Sequence, residues 1–180
     1  MDTQKTLKKF ETVAQEWVRA LDTYSDQNFL QKPDEQSWSI GQVYNHLVTG
    51  TNRFHLQQIA TCMENRGKEM KGGKKFPGKF VFFTGSFPNT RIKVPPSATY
   101  TPKQPDGREV MREGLIQLIQ TMRDAAAKLP PASPTMKTEH PAFGYLNAEE
   151  WFRLIEMHFR HHLRQKKRLD HFLGSQKHKE

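Results

Sequence analysis

The amino-acid sequence predicts an all-α protein, a four-helix bundle. Apolar residues recur at steps of three and four in four separate segments. Helix-start signatures stand at the heads of three of them. Each segment is roughly 19 to 28 residues long, the length range of bundle helices.

The first segment carries Phe10, Ala14, Trp17, Leu21 and Tyr24 on one stripe. The second starts at WSIGQ, where Ser39 and Gln42 fit a capping box, and runs through Val43, Leu47 and Phe54 to a stop at Asn65-Arg66-Gly67. The third opens at Asp106 with Glu109 in the box position, carries Met111, Leu115, Leu118, Met122, Ala125 and Leu129, and stops at Pro130-Pro131. The fourth opens at Asn147 with Glu150 in the box position and closes near Gly174. About 40 residues, 66–105, join the second and third segments, whereas the other two links are about 14 and 17 residues. A link that long can cross the bundle and join helices running the same way. Within it, KFVFFTG (residues 79–85) and RIKVP (91–95) are read as a small hairpin around SFPNT.

The 180 residues fit one domain, taken as residues 1–174, with a basic tail at 175–180. Mean hydropathy is −0.81, so the core must be economical. No apolar run approaches the length of a membrane span, and no membrane partner is expected. The start, MDTQKTLKKFETVAQEW, has neither the apolar stretch nor the cleavage site of a secretory signal. The single cysteine, Cys62, excludes an internal disulfide framework and is read as a buried small apolar residue. Together these predict a cytoplasmic protein. The formal charge is +9, concentrated in residues 66–79 and 164–179 rather than along one helical stripe. That distribution suits a solvated basic exterior better than a nucleic-acid interface.

Histidines carry the functional signal. Trp151, Ile155, His158, His162, Gln165, Leu169 and Phe172 follow steps of four and three, an apolar seam whose centre is given to two imidazoles and an amide. His158 and His162 lie one turn apart, about 40° around the axis. Their nitrogens need partners on a core face, either hydrogen bonds or a shared metal ion. No glutamate follows the first histidine, so the zincin protease pattern fails. Two ligands are too few, and His46 in VYNHLVTG is the best third, with the small Gly50 one turn on leaving room beside it. His55, His161, His171 and His178 are expected at the surface or in the tail. His140 is read as either a loop anchor or a pocket wall. Asn45 is expected to face away from His46, and Glu156, about 160° from His162, to be solvated.

Three motifs, WSIGQVYNHL (residues 38–47), HPAFGYLNAEEW (140–151) and HFRHHLRQ (158–165), resemble those of the DinB/YfiT-like superfamily. The motifs touch about 30 residues, but their order and helical frame agree over most of the chain. The resemblance implies up-down-down-up connectivity, often a homodimer, and a divalent metal, commonly zinc or nickel, on His46, His158 and His162. It implies thiol-dependent S-transfer, an isomerase reaction or hydrolysis as the activity, with a low-molecular-weight thiol as a candidate co-substrate.

Three neutral histidines leave coordination positions open, the layout of a catalytic site. Gln165 is a catalytic candidate that either orients a ligand or makes a polar contact within the bundle. The expected function is a metal-dependent enzyme acting on a small molecule. A non-catalytic metal-binding bundle for sensing, storage or structure is the alternative, and a basic stress-response protein that binds nucleic acid is a second. The substrate entrance is expected among the loop before the second helix, the 66–105 link and residues 140–146. Phe80, Phe82, Phe83 and Phe87 with their lysines either line a site for an amphipathic or anionic molecule or pack the link onto the bundle.

Overall fold

The computed structural model describes residues 2–89 and 101–176. These residues are mainly helical, with one small antiparallel sheet. Helix α1 (Thr3–Ala20) begins where Asp2 accepts the Lys5 N–H, and buries Leu7, Phe10, Val13, Ala14 and Trp17 along one stripe. A 3₁₀ turn (Leu21–Thr23) and the short α2 (Asp26–Leu30) lead into α3 (Ile40–Gly50). The Ser39–Gln42 capping box at the head of α3 is formed in both directions. A π-turn (Thr51–His55) joins α3 to α4 (Leu56–Met63) without a break in the helical path. Asn65 closes α4 in the left-handed region at φ 57°, which asparagine tolerates better than most side chains.

Helix α6 (Arg108–Lys128) starts one residue later than the sequence predicts, with Gly107 rather than Asp106 in the cap position and no side-chain cap. Helix α7 (Ala148–Gln176) has the predicted box: the Glu150 N–H donates to Asn147 Oδ1, and the Asn147 N–H donates to Glu150 Oε2.

The link between the second and third long segments departs from expectation. Residues 79–84 are not a hairpin arm but part of α5 (Phe76–Thr84). Pro77 sits in its first turn and Gly85 ends it at φ 64°. The proline supplies a helix start and the glycine a helix stop, which overrides the strand preference of FVFF. The other predicted arm, residues 91–95, lies outside the described residues. The sheet lies elsewhere, in the order β1 (Lys68–Glu69), β2 (Met136–His140), β3 (Gly144–Asn147). The tight β2–β3 turn needs Gly144, whose φ is 78° and where a Cβ would lie 2.4 Å from the Gly73 carbonyl.

The buried apolar side chains form one cluster. Helix α1 packs on α6 and α7, α3 on α6 and α7, and α4 on α7. Trp17, Tyr44 and Phe159 tie three of these helices together. The Tyr44 hydroxyl donates to the Trp17 carbonyl at 2.7 Å, and Trp17 Nε1 donates to the Phe159 carbonyl at 3.3 Å. Cys62 is buried, as the sequence predicts.

Candidate metal centre

Helix α7 presents His158 and His162 to the flank of α3 that carries His46. His46 Nε2 lies 3.0 Å from His158 Nε2, and His162 Nε2 lies 3.0 Å from the same atom. The three rings stand edge to face, with their candidate ligand atoms all within 4.8 Å of one another. Nitrogens bonded at about 2.05 Å to one ion stand roughly 2.9–3.3 Å apart at right-angled or tetrahedral positions, so the two short separations suit a shared cation. The opposite nitrogen of His162 is held: Nδ1 meets Gln165 Oε1 at 2.9 Å. An amide oxygen can only accept, so Nδ1 carries the proton and Nε2 keeps its lone pair for the centre.

The site keeps its imidazoles neutral, the form that binds metal. Burial lowers His46 to about 4. Burial, aided by repulsion from His46 and His161, lowers His162 to about 3. His158 falls well below its ordinary value, from burial first and then from the neighbouring imidazoles. Trp38, just before the α3 capping box, stacks at a tilt 5.2 Å from His46 and shields one side of the group.

Beside the three rings is a cavity of about 260 Å³, lined by His46, Gly50, Phe54, His55, Phe87, His140, Phe143, Leu154 and His158. Gly50 leaves space there as expected, since a Cβ would meet only His46 Nδ1, at 3.9 Å. Two phenylalanines come from segments the sequence named as entrance walls, Phe87 after α5 and Phe143 in the β2–β3 turn. Phe80, Phe82 and Phe83 are not in its lining. Phe82 instead packs under Lys74 and Arg153, while Phe80 and Phe83 face outward.

His55 is a correction. It is not at the surface but 7% exposed, with its ring 5.3 Å from His158 and 5.9 Å from Trp151. In an unbroken α-helix a residue nine positions after His46 points about 180° away from it. The π-turn, in which the Leu56 N–H reaches the Thr51 carbonyl, takes up roughly one extra residue and brings His55 back to about 80°. The only trace of this in the sequence is an apolar stripe that slips phase after Gly50.

The remaining candidates separate. His140 is both anchor and wall: its Nδ1 accepts the Ala142 and Phe143 N–H groups, and its ring stacks on Phe143 at the cavity. His161 lies at the edge, 4.9 Å from the Phe87 ring, outside the three-nitrogen group. His171 is exposed, and His178 lies outside the described residues. Asn45 faces away and donates to the Lys103 carbonyl at 2.8 Å. Glu156 is a second correction: it is buried rather than solvated, held by two bonds from Arg160 at 2.8 and 3.2 Å. Arg160 also donates to the Gly85 carbonyl, and Arg164 to those of Phe87 and Pro88, so this flank of α7 is covered by the segment after α5.

A search of curated proteins and one of solved structures return no match to this chain. The family model described as the DinB superfamily matches residues 9–165, a span that contains α1 from residue 9 on, the whole histidine group and the cavity walls. The chain belongs to the DinB superfamily.

Proposed function

We propose that this protein is a divalent-metal-dependent enzyme acting on a small molecule by thiol S-transfer or hydrolysis. His46, His158 and His162 would hold the ion, and zinc or nickel suits the three imidazoles best. The observation that carries the reading is the meeting of three imidazole Nε2 atoms, two of whose rings, His46 and His158, line an apolar cavity. A purely structural site would have little use for adjacent space, so the cavity favours catalysis over storage or scaffolding.

The bound ion would supply an acidified thiol or water, or polarise a carbonyl, near neutral pH. The chain's own residues supply the rest. Gln165 fixes the tautomer of His162, and Trp38 limits water on the α3 side. Phe54, Phe87, Phe143 and Leu154 give an apolar body a place beside the histidines. A low-molecular-weight thiol is the co-substrate in the transfer version of this reading.

We read α1, α3 with α4, α6 and α7 as the four segments of an up-down-down-up bundle, with the link between the second and third as its crossover; the packing of α1 and α3 on α6 and α7 supports this reading. We read residues 1–174 as one domain of a cytoplasmic homodimer. Elemental analysis of protein purified without a histidine tag, followed by thiol-transfer and esterase screens, tests the function. Stoichiometric zinc or nickel that His158→Ala abolishes and His161→Ala retains is expected. Full metal affinity in His158→Ala would remove the site, and metal without activity in any screen would favour the non-catalytic alternative.

A further inference from the structure

Helix α5 is inside out. At about 100° per residue, Phe76, Phe80 and Phe83 fall within roughly 60° of one another, and Gly78 and Val81 fall on the far side. An ordinary amphipathic helix would turn the phenylalanines inward. Here Gly78 and Val81 are buried, while Phe76 is 81%, Phe80 45% and Phe83 92% exposed. Close packing fixes this orientation. A Cβ on Gly78 would lie 2.4 Å from the Phe143 carbonyl oxygen, and the Lys75 N–H donates to that same carbonyl at 2.9 Å. The helix cannot roll its phenylalanines inward without leaving the β2–β3 turn. A lone exposed apolar residue needs no explanation, but three phenylalanines in a row on one short helix mark an interaction surface.

The charge around the stripe names the partner. Residues 66–89 contain six basic side chains against one acidic. Lys68, Lys71, Lys75 and Lys79 are all exposed, Lys79 on α5 itself, Lys75 at its N-cap where it also meets Glu139 at 3.4 Å, and Lys68 and Lys71 in the segment before it. A second copy of the same face would bring these lysines against their equals. A nucleic-acid single strand needs a groove that tracks its backbone, and a convex helix offers none. An anionic bilayer surface matches both features at once. Its headgroups attract the lysines, and rings on one side of a helix lying in the interface can enter to a common depth.

We propose that α5 is a peripheral anchor that lays Phe76, Phe80 and Phe83 into the headgroup boundary of an anionic lipid bilayer. The expectation of no membrane partner rested on the lack of a spanning segment, which an interfacial helix does not need. Phe87, just beyond α5, is turned the other way and lines the cavity beside the histidines. The proposal stands apart from the metal reading, because no residue of the anchor belongs to the three-histidine group.

Co-sedimentation of the full chain with vesicles of phosphatidylcholine, with and without phosphatidylglycerol, tests it. Binding should require phosphatidylglycerol and weaken as salt rises. The double variant Phe76→Ser/Phe83→Ser and the double variant Lys71→Glu/Lys79→Glu should each lower the vesicle affinity by about tenfold or more, with the helical circular dichroism unchanged. All four positions are exposed, so the variants keep the core intact. No binding to the anionic vesicles overturns the proposal, as does equal binding by the phenylalanine variant. Two further results would overturn it by assigning the stripe elsewhere: a wild-type dimer that the phenylalanine variant converts to monomer, or an oligonucleotide bound through the same residues in the absence of vesicle binding.

Discussion

Replacing Gln165 by alanine tests how the chain prepares His162. The amide oxygen receives the His162 Nδ1 proton at 2.9 Å, on a ring that is only 9% exposed. Without it, Nδ1–H loses its acceptor in a place water reaches poorly, a cost of about 1–3 kcal/mol. The ring is then free to move its proton to Nε2, the atom that faces His158, and each molecule that does so has lost a ligand. Removing the partner of a metal-binding histidine typically lowers affinity 10–100-fold, or roughly 1.4–2.8 kcal/mol. The expected result is a loss in that range, read by competition with a chromophoric chelator at fixed pH. Gln165→Glu supplies the control, since a carboxylate accepts the same proton and should keep or raise the affinity. An alanine variant that binds metal as tightly as the wild type, while His158→Ala does not bind, would refute the tautomer argument and leave Gln165 as an ordinary polar contact.

Two other outcomes are expected. Gly144→Ala should lower the stability by roughly 2–4 kcal/mol in thermal or urea unfolding, because the residue sits at φ 78° and the new methyl meets the Gly73 carbonyl; a loss under about 0.5 kcal/mol would show that the turn can relax. In chelator, stability should fall as pH drops from about 6.5 to 5, before most carboxylates titrate. His46, His140 and His162 hold values of about 4, 4 and 3 in the fold, from burial first, so in that window the unfolded chain binds protons that the folded chain refuses. Each such histidine contributes a slope of up to about 1.4 kcal/mol per pH unit, and stability that is flat across the window would falsify the neutral assignment.

Most of the fold was legible because long amphipathic helices write their period into the chain, and side-chain caps write their ends. Ser39 with Gln42 and Asn147 with Glu150 are read from spacing alone and both form. Asp106 with Glu109 has the same spacing, yet the helix starts on Gly107. Spacing fixes which residues could cap, and the path of the incoming chain decides whether they do. The sheet was not legible. Its strands run only two to five residues, and MKTEH has neither a clear alternation nor a β-branched run. It is held by its pairing across the chain, with Lys68 opposite Lys137, which no local pattern encodes. FVFF misled in the opposite direction, since a short apolar run does not distinguish strand from helix.

The candidate site shows the same division more sharply. His158 and His162 lie on an unbroken helix, so their shared face follows from arithmetic. Their meeting with His46 depends on the stagger of two helices, which the sequence does not state; His46 was singled out by the small Gly50 one turn on, and the family motifs pointed to the same residue. His55 was lost for a different reason. Every phase argument assumes about 3.6 residues per turn, and one wider turn at Thr51–His55 shifts everything after it by about a quarter to a third of a circle. A wider turn strains the hydrogen-bond ladder and is retained in proteins mostly where it re-aims a side chain. Here it turns His55 onto the cavity wall that also holds His46 and His158. A regular helix of the same sequence would point that imidazole at solvent and leave the cavity one wall short.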